Sequence, residues 1–252
     1  MRGLRDKAVI LTGGASGIGR DAAIRLGEEG AKVGIFDLDE AGAQATAERI
    51  GLDRAAAYKV DISDRDQVTA GLTAFESRFG ATQGLANVAG WDSARMFMDT
   101  DPAVWDKVIR INLYGSLVMH HVVVRGMADR GVGRVVNVAS DAGRVGSSGE
   151  AVYAACKGGI IAFTKTLARE LARSGITLNV LCPGPTDTPL FTDFTKDMAG
   201  GDRLAEGLAK AIPLRRLGRP DDYAGMIAFL LSDDAAFITG QTISISGGLT
   251  MS

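Results

Sequence analysis

Thr12-Gly13-Gly14-Ala15-Ser16-Gly17-Ile18-Gly19 lies between an apolar run at residues 7–11 and a helical pattern that begins near residue 19. Gly13 permits a tight turn, Gly17 lets the backbone approach a pyrophosphate, and Gly19 allows the helix to pack closely on the strand. The spacing is Gly-x-x-x-Gly-x-Gly, and a turn of this kind also occurs as a plain connection. Its position between a strand and a helix favours nucleotide binding, because the first N–H groups of the helix can bind phosphate.

Short apolar runs of strand length alternate with helical patterns along the rest of the chain. The runs are continuous, which is typical of strands covered on both faces in a parallel sheet. They lie at residues 7–11, 32–36, 55–60, 84–88, 134–138, 177–181 and 242–245. Helical patterns lie at residues 19–29, 39–50, 64–79, 104–130, 151–174 and 220–231. The sequence therefore predicts a doubly wound α/β Rossmann fold, a parallel sheet of about seven strands with helices on both faces.

No composition shift or linker divides the chain, so we expect residues 1–252 to form a single domain. Residues 189–212 interrupt the alternation with a looser helical segment that contains Gly200-Gly201 and the aromatic residues Phe191 and Phe194. The segment follows a strand end, which is the side of an open α/β sheet at which ligands bind. We interpret it as a substrate lid, with an ordinary surface insertion as the alternative.

Composition excludes several other classes of protein. The 28 basic and 30 acidic residues give a net charge of −2, which argues against nucleic acid as a partner. The two cysteines, Cys156 and Cys182, form no CxxC motif or Cys/His cluster, which indicates a reducing compartment and no metal. No apolar run is long enough for a membrane span, and the N-terminal run is too short for a signal peptide. We expect a cytoplasmic protein that does not bind membranes.

The second strand ends at Asp37, 18 positions beyond Gly19. An acidic side chain at this point of the fold can accept hydrogen bonds from the hydroxyl groups of an adenosine ribose. A carboxylate would also repel a 2′-phosphate, and residue 16 is serine, so no cation offsets the charge. The sequence therefore predicts NAD as the cofactor in preference to NADP. The alternative is that Asp37 merely begins the next loop.

Tyr153 and Lys157 are four positions apart, and so share one face of the predicted helix. A free tyrosine is a poor base at neutral pH, but a nearby ammonium and a positively charged nicotinamide favour its phenolate. The pair would then suit proton exchange with an alcohol or ketone. Taken alone, the spacing Tyr-x-x-x-Lys is equally compatible with a solvated helix face.

Three further polar positions support the chemical interpretation. Ser140 follows a buried strand, 13 positions before Tyr153, and its hydroxyl could orient a substrate oxygen. The fourth strand ends in Asn87-Val88-Ala89-Gly90, whose small residues leave room for a flat ring. Asn112 is a polar residue in an apolar helix, where it could hold a water near Lys157 or be a satisfied core residue.

These residues together resemble the single-domain, NAD-type short-chain dehydrogenase/reductase family over essentially the whole chain. The resemblance rests on the glycine turn, Asp61, Asn87-Val88-Ala89-Gly90, Asn112, Ser140, Tyr153, Lys157 and Pro183-Gly184. The family usually has asparagine where this chain has Val88, and we expect little loss from that difference. By the resemblance, Asp61 bonds the adenine, and Thr188 with the backbone after Pro183-Gly184 holds the nicotinamide carboxamide.

The resemblance implies a complete set of site residues. The catalytic tetrad would be Asn112, Ser140, Tyr153 and Lys157, with Tyr153 as general acid and base and Lys157 lowering its pKa and binding the ribose. The cofactor would contact Gly13, Ser16, Gly17, Ile18, Gly19, Asp37, Asp61, Ile62, Asn87, Ala89, Gly90, Tyr153, Lys157, Pro183, Gly184, Thr186 and Thr188. A water on Asn112 would continue the proton path, no metal would take part, and a homotetramer would be the usual assembly.

The substrate is less sharply defined by the sequence. Candidate contacts are Trp91, Arg144, Glu150, Phe191 and Phe194, which suit a ring-shaped body and, through Arg144, an anionic tail such as that of CoA. We expect a secondary alcohol that is cyclic or a β-hydroxyacyl-CoA. The alternatives are another cyclic or aryl alcohol, a 3-oxoacyl-ACP reductase-like activity, or a non-catalytic NAD-binding sensor.

Overall fold

The computed structural model describes residues 1–196 and 201–251, without the side chains of residues 194, 196, 201, 202 and 204. Within that part of the chain, seven parallel strands form one sheet in the order β3-β2-β1-β4-β5-β6-β7. They are β1 (Ala8–Thr12), β2 (Lys32–Asp37), β3 (Ala55–Lys59), β4 (Gly84–Asn87), β5 (Gly133–Val138), β6 (Ile176–Pro183) and β7 (Thr242–Ile245). The predicted doubly wound parallel sheet is confirmed.

Helices connect consecutive strands, as parallel pairing requires. They are α1 (Gly17–Glu28), α2 (Glu40–Ile50), α3 (Arg65–Phe79), α4 (Pro102–Ile109), α5 (Gly115–Met119), α6 (Arg125–Arg130), α7 (Ala142–Val145), α8 (Ala151–Leu171), α9 (Pro189–Lys196), α10 (Gly201–Ala211) and α11 (Asp221–Leu231). Short 3₁₀ turns occupy Phe97–Asp99, Ala172–Ser174 and Asp233–Ala235. The predicted lid, residues 189–212, comprises α9 and α10, and residues 197–200 of it lie outside the described residues.

The helical pattern predicted at residues 104–130 is interrupted twice by π-helical turns. One joins α4 to α5 at Arg110–Tyr114, and the other joins α5 to α6 at His120–Val124. A π turn shifts the helix face by one residue and is frequent at functional sites. Asn112 and His120, two buried polar residues of this helix, lie one in each turn.

Alternate residues of the strands pack into two separate hydrophobic cores, one on each face of the sheet. Val9 and Leu11 face α1, α2 and α11, whereas Ala8 and Ile10 face α3, α5 and α8. Burial on both faces explains why the strands have continuous apolar sequences. The sheet is therefore enclosed by two helical layers, and ligands can reach it only at the ends of the strands.

The strand order reverses next to β1, which lies between β2 and β4. In open α/β sheets, ligands bind in the crevice at the carboxyl ends of the strands beside such a reversal. The register pairs Thr12 with Asn87 and Asn87 with Asn137 at this edge. The glycine turn and Ser140 follow directly on strands of the same edge, so the fold brings the predicted site residues together.

Candidate active site

The glycine turn between β1 and α1 is closely packed. Gly13 has φ +75°, and a Cβ atom there would lie 2.7 Å from the Cα atom of Ala89. A Cβ atom at Gly19 would lie 2.0 Å from the carbonyl oxygen of Gly13. Both positions therefore require glycine, one for its backbone conformation and both for the space.

The amino end of α1 is open to a ligand. Ser16 occupies the N-cap position with an extended backbone, but its exposed side chain makes no capping hydrogen bond. The first N–H groups of the helix can therefore bind an anion. Thr188 approaches from the loop after β6, since its Cγ2 atom lies 3.4 Å from where a Cβ of Gly17 would be. Ile18 is turned to the core and packs against its cluster.

Asp37 stands at the carboxyl end of β2 with its side chain half-buried. Its Oδ2 atom accepts a hydrogen bond of 2.9 Å from the N–H of Ala15, in the glycine turn. Its Oδ1 atom accepts one of 3.0 Å from the N–H of Asp39. Each carboxylate oxygen keeps a second lone pair for a hydroxyl group. The negative charge is therefore held directly beside the turn.

Asp61 and Ile62 follow β3. The Oδ1 atom of Asp61 accepts hydrogen bonds of 2.8 Å from both the N–H and the hydroxyl of Ser63. The side chain of Ile62 is buried, and its Cγ1 atom lies 2.7 Å from where a Cβ of Gly115 would be. A ligand could therefore meet the Asp61 side chain directly, but Ile62 chiefly through its backbone.

The end of β4 is held by Thr12. The Thr12 hydroxyl accepts hydrogen bonds of 3.1 Å from the N–H groups of both Val88 and Ala89. The Nδ2 atom of Asn87 donates to Oδ1 of Asn137 at 3.0 Å, while its own buried Oδ1 atom has no partner among the described residues. A buried amide oxygen normally accepts a hydrogen bond, so a donor on a bound ligand would satisfy the Oδ1 atom of Asn87.

A buried polar network lies behind Asn87, and the sequence reasoning missed it. The Nδ1 atom of His120 is 2.6 Å from the carbonyl oxygen of Ser116, and its Nε2 atom is 3.2 Å from Nδ2 of Asn137. Nδ1 therefore donates to the carbonyl and Nε2 accepts from the amide. Burial lowers the pKa of His120 to about 4. The signal was available, since His120 and Asn137 interrupt apolar runs as Asn112 does.

Tyr153 and Lys157 lie on the first turns of α8 and face the end of β5. The Nζ atom of Lys157 is 5.3 Å from the centre of the Tyr153 ring, and it donates a 3.0 Å hydrogen bond to the carbonyl of Val138. Lys157 is 3% exposed, and this burial lowers its pKa to about 8. The predicted pair therefore shares one helix face directed at the strand ends, rather than a solvated surface.

Ser140 follows β5 and hydrogen-bonds with Tyr153, which favours the phenolate. Its Oγ atom also accepts a 3.1 Å hydrogen bond from the N–H of Ala142. Burial nevertheless raises the pKa of the Tyr153 hydroxyl, and the negative charges of Glu150 and Asp92 raise it further. The lowered pKa expected from the sequence is therefore not produced by the chain alone, in which Tyr153 is a neutral phenol at physiological pH.

Asn112 is buried in the first π turn, where its amide binds backbone groups. Its Nδ2 atom donates to the carbonyls of Trp91 and Val108 at 2.6 and 2.9 Å, and its Oδ1 atom accepts from the N–H of Trp91 at 3.3 Å. A Cβ atom at Gly90 would lie 2.9 Å from Oδ1 of Asn112 and 3.4 Å from Nζ of Lys157. Asn112 and Lys157 thus both adjoin Gly90, and both amide hydrogens of Asn112 are already used.

The loop after β6 crosses the same edge of the sheet. The Pro183 carbonyl accepts from the N–H of Asp141 at 3.0 Å, and the N–H of Gly184 donates to the carbonyl of Ile245 at 3.1 Å. The hydroxyl of Thr186 is turned inward, 2.6 Å from the hydroxyl of Tyr223. The Thr186 side chain therefore holds the loop, whereas Thr188 is the threonine that lies over the glycine turn.

The predicted substrate contacts differ in how free they are. The Trp91 ring lies under Lys107, whose Nζ atom is 3.7 Å from the ring centre. The Arg144 guanidinium donates to the Ser244 hydroxyl on β7. Phe191, half-buried in α9, accepts from Thr195 through its carbonyl oxygen at 3.1 Å. The side chain of Phe194 lies outside the described part of α9.

Glu150, a predicted substrate contact, lies close to the tyrosine. It precedes α8 directly and makes no side-chain capping bond to the helix. It lines one cavity with Asp92, Tyr153, Phe97 and Trp105. Asp92, which follows Trp91 in the loop after β4, lines the same cavity.

A metal-binding cluster and a membrane-spanning helix are both absent from the described residues. No group of three or more histidine, cysteine or acidic side chains there is arranged to hold a metal ion. None of the helices combines the length and the apolar character needed to cross a membrane.

A family model described as enoyl-(acyl carrier protein) reductase matches residues 13–250. The chain is 34% identical to 2-(S)-hydroxypropyl-CoM dehydrogenase 3 of Xanthobacter autotrophicus, with 98% of each chain covered. It is 38% identical to the acetoacetyl-CoA reductase of Shinella zoogloeoides, over 96% of this chain and 98% of the relative. It is 37% identical to the 3-oxoacyl-[acyl-carrier-protein] reductase of Vibrio cholerae, over 98% of this chain and 99% of the relative. All three relatives span the whole fold.

The chain belongs to the short-chain dehydrogenase/reductase family. Two solved structures of this family superpose on it closely. Levodione reductase gives a TM-score of 0.91 at 34% identity, covering 97% of both chains. The 3-ketoacyl-(acyl-carrier-protein) reductase of Brucella melitensis, complexed with NADH, gives 0.91 at 33% identity and covers 98% of this chain and 100% of that one. The expected family is confirmed, and with it an oxidoreductase that uses a nicotinamide cofactor.

Features of this dehydrogenase/reductase chain fit such a cofactor. Glycines 13 and 19 leave space that side chains would fill, and the amino end of α1 carries no side-chain cap. The buried Oδ1 atom of Asn87 lacks a donor among the described residues. A pyrophosphate at the helix end and polar groups along the strand ends would complete these contacts.

Proposed function

We propose that this protein is an NAD(H)-preferring dehydrogenase that interconverts a secondary alcohol and a ketone. The observation that carries the proposal is the convergence of Ser140, Tyr153 and Lys157 at the carboxyl end of β5. Lys157 reaches the Val138 carbonyl at 3.0 Å, and Tyr153 bonds with Ser140. A hydroxyl donor, a phenol and an ammonium at one point are suited to proton exchange with a substrate oxygen.

The preference for NAD(H) is supported by Asp37. Its carboxylate is bonded to the N–H groups of Ala15 and Asp39, so its charge is fixed at the end of β2. The remaining lone pairs can accept hydrogen bonds from two ribose hydroxyls. A 2′-phosphate at the same point would meet a like charge, and Ser16 offers no cation to offset it.

Each residue has a separate part in the proposed reaction. When bound, NAD⁺ supplies the hydride acceptor and a positively charged ring beside the phenol. In the oxidation direction, Tyr153 as the phenolate takes the hydroxyl proton and becomes the neutral phenol, while the carbinol carbon gives up its hydride. In the reduction direction, Tyr153 returns a proton to the substrate oxygen. Ser140 donates a hydrogen bond to that oxygen and orients it toward the tyrosine.

Because the pKa of Tyr153 is raised, the proposed role of Lys157 is to supply positive charge that favours the phenolate. Beside the carboxyl groups of Asp92 and Glu150, the Tyr153 phenol stays protonated until positive charge is added nearby, and only its phenolate can act as the base. Lys157 provides one such charge and can also hold the ribose hydroxyls. Its own pKa of about 8 means that most of it is protonated at neutral pH.

Asn112 continues the proposed proton path. Both hydrogens of its amide are bonded to the carbonyls of Trp91 and Val108, so a water would bind to an oxygen of this residue. Such a water would lie near Lys157, because the two side chains meet at Gly90. The amide also fixes the Trp91 backbone beside the substrate.

The proposed substrates are cyclic secondary alcohols and β-hydroxyacyl-CoA thioesters. The relatives include an acetoacetyl-CoA reductase, and levodione reductase is a structural neighbour. The stretches Gly90-Trp91-Asp92 and Cys182-Pro183-Gly184-Pro185 also resemble 2-hydroxycyclohexanecarboxyl-CoA dehydrogenase. Trp91, Glu150, Phe191 and Phe194 remain the proposed substrate contacts. Arg144 is tied to Ser244, which weakens the case for it as the binder of an anionic tail.

Residues 189–212 are proposed to close over the substrate as a lid within a single domain, and the assembly is proposed to be a cytoplasmic homotetramer. The position of α9 directly after Thr188 supports the lid, because Thr188 adjoins the glycine turn. The tetramer rests on the family resemblance.

The test is a screen of NAD⁺ reduction by the purified protein. Cyclic and acyclic β-hydroxyacyl thioesters are compared with free cyclic and aryl alcohols, with NAD⁺ and NADP⁺ in parallel. We expect turnover of at least one thioester or ring alcohol and a preference for NAD⁺. Absence of turnover with every alcohol, in a protein that still binds NADH, would favour a non-catalytic sensor.

A further inference from the structure

Asp92 is held at a fixed place beside the tyrosine, although it lies in a loop. Its neighbour Trp91 has both backbone groups bonded to the amide of Asn112. Further along the loop, the N–H of Arg95 donates to the carbonyl of Gly149 at 3.0 Å, just before Glu150. The loop after β4 is thus attached at two points, and Asp92 lies between them.

The two carboxylate oxygens of Asp92 differ in their surroundings. Oδ1 accepts a hydrogen bond of 2.7 Å from the N–H of Ser93. Oδ2 is buried and accepts no N–H or O–H of the described residues, although the Glu150 carboxyl lies within hydrogen-bonding reach of the Asp92 carboxyl. Buried carboxyl oxygens are normally bonded, so an unpaired one in a binding cavity indicates a ligand atom.

The cavity that Asp92 lines also contains the proposed catalytic tyrosine. Tyr153 and Glu150 contribute from the start of α8, and Phe97 and Trp105 form an aromatic wall. The two aromatic rings are stacked, with centres 5.3 Å apart and planes at 10°. A substrate whose reacting oxygen lies at Tyr153 would bring its neighbouring atoms into the same cavity.

From this geometry we infer that Asp92 is a specificity-determining residue whose carboxyl group donates a hydrogen bond to a neutral carbonyl oxygen flanking the reacting carbinol. The inference rests on the proposed function. It names the substrate class as alcohols with an adjacent thioester, ester or ketone group. A free carboxylate at the same place would be disfavoured, since Glu150 would repel it, and so would Asp92 in the molecules in which it is ionised.

The charges around Asp92 support a donor role. On α8 they are Glu150, Tyr153, Cys156 and Lys157, and elsewhere they are Arg95 in its own loop and Lys107 over Trp91. Burial, followed by the negative charge of Glu150 and a hydrogen bond with that carboxyl, raises the pKa of Asp92 to about 7, while the Ser93 N–H and then Lys157 act in the opposite direction. A large share of the molecules therefore carries a protonated carboxyl near neutral pH, and that share falls as the pH rises.

The experiment compares three substrates that share one ring. They are the N-acetylcysteamine thioester of 2-hydroxycyclohexanecarboxylic acid, the free acid, and cyclohexanol, which lacks the flanking group. The wild-type protein is compared with Asp92→Ala and with Asp92→Asn, whose amide can still donate. Asp99→Asn is the control, because Asp99 is an exposed acid of the same loop region. Retained NADH binding shows that each variant is folded.

For Asp92→Ala we expect the thioester-to-cyclohexanol ratio of kcat/KM to fall about ten-fold or more, through a higher KM for the thioester. Asp92→Asn should keep the ratio and lose the rise of the thioester KM above neutral pH. The free acid should become a better substrate in both variants. Asp99→Asn should resemble the wild type.

Using a ratio between substrates removes effects that act on all of them alike. Asp92 raises the pKa of Tyr153, so either variant can change the rate with every alcohol. An unchanged ratio in Asp92→Ala overturns the inference, and so does an equal loss with thioester and cyclohexanol. If the wild type turns over no alcohol at all, the proposed function has failed instead, which is a separate result.

Discussion

The amide of Asn112 holds the backbone of Trp91 from both sides, donating to its carbonyl at 2.6 Å and accepting from its N–H at 3.3 Å. Asn112 lies on a π turn between α4 and α5, and Trp91 begins the loop after β4. The contact therefore joins the helix to the loop that lines the substrate cavity. Asn112, which is proposed for the proton relay, therefore also attaches the loop of the substrate cavity to the helix.

Replacing Asn112 by alanine removes all three of its side-chain hydrogen bonds. We expect the free energy of unfolding to fall by about 2 kcal/mol, because buried backbone groups of Trp91 and Val108 lose their partners. Urea unfolding curves measure this loss. Gln44→Ala, which removes an amide at the surface of α2, should change stability by much less. Equal stabilities would show that the Trp91 contact contributes little.

Tyr153→Phe keeps the ring and removes the hydroxyl that is proposed to exchange the proton. We expect kcat to fall at least about 100-fold with every substrate, while NADH binding, followed by its fluorescence, is nearly unchanged. Tyr114→Phe is the matched control, since Tyr114 is half-exposed and has no proposed part in the reaction. Turnover within a few-fold of the wild type in Tyr153→Phe would remove tyrosine from the mechanism.

Asp37→Asn keeps an oxygen for the N–H of Ala15 but removes the negative charge. We expect the ratio of kcat/KM for NAD⁺ to that for NADP⁺ to fall about ten-fold or more, because the 2′-phosphate is no longer repelled. Steady-state kinetics with both cofactors measure the ratio. Asp53→Asn, an exposed acid of the α2–β3 connection, serves as the control. A constant ratio in Asp37→Asn would contradict the assignment of NAD(H) preference.

Gly13→Ala tests whether the closely packed glycine turn can accept a side chain. Gly13 and Gly131 have similar positive φ angles, +75° and +71°, but a Cβ atom meets Ala89 at the first and nothing within 4 Å at the second. Alanine at either position adds about 1 kcal/mol of backbone strain. Only Gly13→Ala should also weaken NADH binding, about ten-fold or more, as measured by fluorescence titration. Similar binding in the two variants would show that the turn can move aside.

His120 makes the stability of the protein sensitive to acid. Its pKa falls from 6.5 to about 4 on folding, so the unfolded chain binds the extra proton first as the pH drops. Above pH 6.5 His120 does not reduce the free energy of unfolding. As the pH falls toward 4, that free energy decreases by about 3 kcal/mol at most. His120→Gln should therefore lose less stability than the wild type over this interval.

The neighbouring histidine provides the control for that measurement. His121 is exposed, and it is the other histidine of the chain. Urea unfolding at a series of pH values should give parallel curves for the wild type and His121→Gln, with a shallower curve for His120→Gln. A slope unchanged by His120→Gln would mean that His120 is protonated within the fold.

The fold could be predicted because its signals are local. Strand-length apolar runs and the glycine turn follow from neighbouring residues, and the observed strand ends lie within two positions of the predicted ones. The polarity of Asn112 within an apolar helix marked it as a candidate site residue. The π turn that carries Asn112 was not foreseen, because it depends on how the helix packs rather than on residue preferences.

Other properties of the site depend on contacts between distant parts of the chain. The bond from Ala15 to Asp37 and the inward turn of Thr186 toward Tyr223 each join separate elements. The raised pKa of Tyr153 comes from burial and from Glu150 and Asp92, which only the folded chain brings together. For the same reason, the sequence could not reveal that one oxygen of Asp92 is buried without an N–H or O–H donor from the described part of the chain.

Asp37 and Asp92 lie at the ends of different strands, β2 and β4, with β1 between them in the sheet. No hydrogen bond of the described residues joins the two carboxylates or their loops. A change in coenzyme choice and a change in substrate choice therefore alter separate loops. An engineer could exchange either trait while leaving the other intact, and natural variants could diversify in the same stepwise manner.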